Sequence, residues 1–85
     1  SSKKDYEIIE KIISFSKKND SKIILIAESL GKRETLYDFL LKKNINVKKI
    51  NSWSDVCSQE QRVFLTTGLL QKGFFAWKYN VIRVG

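Results

Sequence analysis

The chain has 85 residues, with 16 Lys plus Arg, nine Asp plus Glu, one Cys and no His, Pro or Met. One small domain fits that length, and its core is thin, because so short a chain buries only about 60% of its unfolded surface. A lone Cys excludes an internal disulfide, the lack of His removes Ser-His and Cys-His nucleophile pairs and soft-ligand zinc sites, and no run reaches the roughly 18 apolar residues of a membrane span.

The net charge is +7, and Lys outnumbers Arg heavily among the cations. Arg is the preferred residue for bidentate phosphate and guanine contacts. A Lys-rich surface of this kind has two readings: a solvated surface inflated by AT-rich coding bias, or a face for a polyanion. With 42% apolar residues the sequence folds rather than staying disordered. A cytoplasmic setting and a monomer are expected, with no cofactor, no metal and no catalytic residue assigned.

Residues 5–18 carry helical periodicity. Ile8, Ile12 and Phe15 form the expected buried stripe, with Tyr6, Ile9 and Ile13 beside it. Asp5 suits an N-cap, and Asn19-Asp20-Ser21 ends the pattern. Lys22–Ala27 is a continuous β-branched run, as in a strand covered on both faces. Glu28–Gly31 reads as a turn and residues 32–43 as a second helix burying Leu36, Tyr37, Leu40 and Leu41, with Asn44 as its C-terminal cap.

Val47–Ile50 reads as a short strand whose apolar ends face one side. A turn at 51–55 and a short helical stretch at 56–60 follow. Arg62–Thr66 is a third strand, entering Thr67-Gly68. Leu69–Lys72 is a loop or one helical turn, and Gly73–Trp77 leads to a last strand at Val81–Val84.

Strands that alternate with helices, with no Asn-Gly or Asp-Gly hairpin signal, imply right-handed crossovers. The expected fold is a small three-layer α/β unit, a mainly parallel sheet of about four strands with flanking helices. Its strand C-termini would gather Glu28-Ser29, Asn51-Ser52 and Thr66-Thr67-Gly68 at one edge, where such sheets bind ligands.

Gly31-Lys32 opens a helix after a strand, as in a phosphate loop. A true loop needs Gly where Ile26 stands and Ser or Thr where Arg33 stands, so nucleotide hydrolysis is not expected. Lys32 and Arg33 at a helix start are candidate anion contacts. Lys42-Lys43 and Lys48-Lys49 flank a turn and suggest a basic patch, with Lys48 and Lys49 as candidate nucleic-acid contacts. Solubility alone also explains such pairs. Trp53 and Trp77 are candidates for docking a neighbouring domain, and Phe74 for the core. Glu28, Asp55 and Glu60 are acids near the proposed edge without catalytic spacing, and Cys57 reads as a small apolar residue.

Three stretches taken together carry a resemblance: IILIAESLGKRETL, DFLLKKNINVKKI and RVFLTTGLLQKGFFAWKYNVI. Their order over residues 22–82 resembles the N-terminal, UvrB-like module of bacterial transcription-repair coupling factors (Mfd). The matching positions are Glu28-Ser29, Lys32-Arg33, Glu34, Leu36, Gly73-Phe74 and Val81-Ile82, while Arg83-Val84 replaces the family's Thr-Glu. The same order is similar to the second lobe of superfamily 2 helicases, a degenerate RecA-like unit. Thr66–Gly68 and Gly73-Phe74 would bracket its nucleic-acid loop. The Mfd resemblance implies a single domain, residues 1–85, of a multidomain ATP-driven DNA translocase that displaces stalled RNA polymerase and recruits UvrA. This segment would be a non-catalytic structural module whose partners are other domains of the same protein and, weakly, DNA.

Overall fold

The run Ile23–Ala27 forms β1, and all five of its residues are buried in the computed structural model, which describes residues 3–56, 60–68 and 80–84. Burial on both faces erases the polar alternation of a half-exposed strand, so a central strand reads as a solid apolar run. Around β1 lie α1 (Lys3–Lys18), α2 (Leu30–Lys42), β2 (Val47–Lys49), a 3-10 turn (Trp53–Val56), β3 (Val63–Thr67) and β4 (Asn80–Val84).

The four strands form one sheet in the order β2-β3-β1-β4, and every pairing is parallel. Leu25 of β1 stands opposite Leu65 of β3 and Ile82 of β4. Both helices cover one face. There Ile9 and Ile13 of α1 and Leu36 and Leu40 of α2 meet Ile23, Leu25, Val47, Val63, Leu65 and Val84. The opposite face buries Ile24, Ile26, Ile50 and Phe64 together with Val56 of the 3-10 turn. The expected α/β unit with a parallel sheet of four strands is what forms, and two buried faces are consistent with three layers.

Several local expectations are corrected. Helix α1 begins at Lys3, so Asp5 lies in its first turn rather than at its cap. Its buried stripe is Ile9, Ile13 and Ser16, while Ile8 and Phe15 are exposed. A serine holds a core position because its hydroxyl donates to the Ser21 carbonyl at 2.7 Å, which satisfies the buried polar group. In α2 Leu41 is exposed, and Phe39 takes its place against the core. Val47 and Ile50 are three residues apart, an odd spacing that sends them to opposite sheet faces rather than one. A 3-10 turn occupies Trp53–Val56, within the expected turn at 51–55, and most of the helical stretch expected at 56–60 lies outside the described residues. The expectations for Cys57, Leu69–Lys72, Phe74 and Trp77 lie outside the described residues, as does the Trp53 side chain.

Both helices end in the same motif. After α2 the Ile45 amide donates to the Leu40 carbonyl and the Asn44 amide to the Leu41 carbonyl, each at 3.0 Å. After α1 the Ser21 amide reaches the Ser16 carbonyl at 3.0 Å and the Asp20 amide the Lys17 carbonyl at 3.4 Å. This paired closure requires a left-handed residue. Asn44 at φ 60° and Asp20 at φ 53° supply it, so Asn44 terminates α2 as expected. Gly adopts that conformation without strain, whereas a β-branched side chain resists it. Asn44→Gly is expected to raise stability by roughly 0.5–1 kcal/mol and Asn44→Val to lower it by at least about 1 kcal/mol, read from urea midpoints.

Candidate functional site

Strand β1 leads to β2 on one side of it, and β3 leads to β4 on the other. The C-terminal ends of β1 and β3 therefore lie side by side where the direction of strand order reverses, the position at which open parallel sheets commonly bind ligands. The Gly68 amide donates to the Ala27 carbonyl at 3.0 Å and ties these two ends together. Ser29 then caps α2: its hydroxyl accepts from the Lys32 amide at 3.1 Å, and its carbonyl from the Arg33 amide at 3.0 Å.

Gly31 lies within the first turn of α2, where the sequence suggested a turn before the helix. It has no positive φ, and a methyl group placed on it would meet nothing within 4 Å. Ile26, at the position of a phosphate loop's first glycine, is buried in β1. The Lys32 and Arg33 amides at this strand-to-helix junction thus bond to Ser29, and Ile26 leaves no glycine turn for a phosphate loop.

The side chains around the junction are tied to one another. Arg33 Nε meets Glu34 Oε2 at 3.2 Å, and its Nη1 reaches Asn51 Oδ1 at 3.5 Å. Lys49 Nζ donates to Glu34 Oε1 at 3.1 Å and lies 4.4 Å from the centre of the Tyr37 ring. Lys32 Nζ lies 6.0 Å from the centre of the Tyr6 ring. Glu34 therefore bridges the start of α2 to the end of β2. The hydrogen bond from Lys49 holds its carboxyl below the usual range, with Arg33 adding to the effect.

Strand alternation separates the four candidate cations. Lys32, Arg33 and Lys49 gather on the helix side of the edge, whereas Lys48 turns toward the 3-10 turn and reaches the Asp55 carbonyl at 3.5 Å. Lys43, at the other end of α2, faces Glu10 at 3.9 Å. The expected four-lysine patch is thus not one surface. Asp55 accepts from the Asn51 and Ser52 amides at 3.1 and 3.2 Å, and these two bonds lower its pKa. Glu28 is exposed at the end of β1. Among the described residues no group of three or more acidic or Cys side chains converges on a metal-sized site, and no helix is long and apolar enough to cross a membrane.

Sequence reasoning located the edge but missed Glu34 and Asn51 as its connectors. The adjacent Arg33-Glu34 pair was the one available signal, and the partners from β2 depend on how α2 sits across the sheet.

These bonds give a pH expectation. Glu34 and Asp55 are stabilised as carboxylates, so they take up protons at lower pH in the folded chain than in the unfolded one. The stabilisation is complete above the ordinary carboxylate values near 4 and is lost as pH falls through the lower folded values. Urea unfolding at pH 7 and pH 3 is expected to show this loss, and Asp55→Asn to show less of it. An unchanged acid sensitivity in that variant would count against the Asp55 bonds.

No curated protein and no solved structure matches the chain. A family model does match: the D3 domain of Mfd, over residues 15–82. That span runs from the last turn of α1 into β4, so it takes in the whole crossover unit and the edge just described. With four-fifths of its length inside that match, the chain belongs to the D3 domain family of the transcription-repair coupling factor Mfd.

Proposed function

We propose that this domain is a non-catalytic structural and interaction module of the transcription-repair coupling factor. Its partners are other domains of the same multidomain protein, which works in the cytoplasm. The whole protein is the ATP-driven translocase that displaces stalled RNA polymerase and recruits UvrA, with the motor and the UvrA contact on other domains. The observation that carries this reading is the junction between β1 and α2. A nucleotide-binding unit holds phosphate with free amides there, and this one bonds its Lys32 and Arg33 amides to Ser29 and has buried Ile26 in place of the loop's first glycine.

One observation favours a second reading, a nucleic-acid-binding lobe like the second domain of a superfamily 2 helicase. Helix α2 starts with Lys32 and Arg33 and has no acidic residue in its first turn. Cations at the positive end of a helix dipole are unfavourable unless an anion offsets them. Phosphate contacts from Lys32, Arg33, Lys49 and, from the opposite face, Lys48 would supply it. Fluorescence anisotropy with labelled duplex DNA at two salt concentrations separates the readings. The module reading expects no binding at low salt. The lobe reading expects affinity that falls steeply with salt and is lost when Lys32 and Arg33 become Ala.

A further inference from the structure

Among the described residues β4 is an edge strand, and it borders one groove with the exposed side of α1. Strand β4 ends the described sheet, with β1 on one side only. The Asn80 amide donates to the Lys22 carbonyl at 3.0 Å. Alternate residues of a strand in a parallel ladder bond to opposite sides. Asn80, Ile82 and Val84 therefore serve β1, and the backbone groups of Val81 and Arg83 point away from it, to a side with no strand among the described residues. Beside that edge runs a groove of about 430 Å³, whose apolar lining includes Ile12, Phe15, Ile23, Val81 and Ile82. Phe15 is 60% exposed, far more than a residue serving its own core.

Exposed cations border the groove and the edge strand. Lys11 and Lys18 lie one turn before and after Phe15, and together with Phe15 they line the adjoining hollow on α1. Arg83 is exposed on the edge strand, on the sheet face of Val81, opposite α1. None of these three has an ion-pair partner among the described residues. Glu10, which shares the hollow, is already paired with Lys43.

From this juxtaposition we propose that the β4 edge and the α1 groove bind an extended, acidic segment of a partner protein. The segment adds a fifth strand next to β4. Its backbone bonds to Val81 and Arg83, its apolar side chains at alternate positions enter the groove against Ile12, Phe15 and Ile82, and its intervening carboxylates face Arg83 on the other side of the sheet, while Lys11 and Lys18 flank the groove on α1. Edge addition takes affinity from backbone bonds and specificity from alternate side chains. A second copy of this chain is the wrong occupant. It would set Arg83, Lys11 and Lys18 against like charges on a molecule of net charge +7. This surface is separate from the β1–α2 edge, so the proposal stands or falls independently of the module reading above.

The test is an amide NMR titration of the isotope-labelled chain with a blocked peptide of alternating valine and glutamate. Saturable shifts at the Val81 and Arg83 amides, with slowed hydrogen exchange at both, are the expected result. Arg83→Glu and Phe15→Asp, both at exposed positions that leave the fold intact, are each expected to weaken binding by about tenfold or more. A peptide with lysine in place of glutamate is expected not to bind. Absence of shifts at Val81 and Arg83, equal binding of the lysine peptide, or shifts of the same amides on concentrating the chain alone would each overturn the proposal.

Discussion

Phe64→Ala is expected to lower stability by about 3–5 kcal/mol, enough to leave much of the chain unfolded at room temperature. Phe64 is fully buried on β3, between β1 and β2, and is the largest side chain of the cluster on the face opposite the helices. It packs with Ile24 and Ile26 from β1, Ile50 after β2 and Val56 of the 3-10 turn. Truncation removes the transfer energy of the ring and leaves a cavity that four β-branched neighbours, each with one preferred rotamer, cannot close. Phe64→Leu, which conserves more volume, is expected to cost about 1.5 kcal/mol or less. Urea midpoints at constant slope measure both. A loss below about 1 kcal/mol for the alanine variant would mean that this face of the sheet is not covered.

Leu36→Ala and Leu41→Ala are expected to differ sharply, although the sequence placed both residues on one buried stripe. Leu36 is fully buried where α2 crosses the sheet, and its truncation is expected to cost about 2–5 kcal/mol. Leu41 is 46% exposed, and its truncation is expected to fall within about 0.5 kcal/mol of neutral. Equal losses from the two variants would refute the orientation of α2 described above.

What was legible followed from how much context each residue needs. The run at Ile23–Ala27 announced a central strand, because burial on both sides leaves a local mark. The alternation of that run with helical segments announced parallel pairing, because a crossover is the short route between such elements. The facing of α1 was not legible. Isoleucines at positions 8, 9, 12 and 13 offer two neighbouring stripes of equal hydrophobicity, and the sheet selected the one that contains Ser16. Nothing local says that a serine will be satisfied by a carbonyl five residues on. The choice of Phe39 over Leu41 has a similar origin, since the Phe39 ring meets Tyr6 of α1 with centroids 4.9 Å apart, a contact between elements distant in sequence.

At the site, the missing phosphate-loop glycine was plain from Ile26 alone. The separation of Lys48 from Lys49 is present in the period of two of any strand, whereas their place beside a turn groups them with Lys42 and Lys43. Glu34 was beyond reach, because its bond to Lys49 depends on where β2 lies beneath α2, and that is set by the insertion of β3 between β2 and β1.

Titration of the isotope-labelled chain with magnesium-ATP, followed through the amides of Gly31, Lys32 and Arg33, bears most directly on whether the β1–α2 junction is a helix cap or a nucleotide site. A junction whose Lys32 and Arg33 amides are bonded to Ser29 predicts only small shifts that grow linearly with added nucleotide and vanish with salt. Saturable shifts at those three positions, retained in moderate salt and dependent on magnesium, would contradict it.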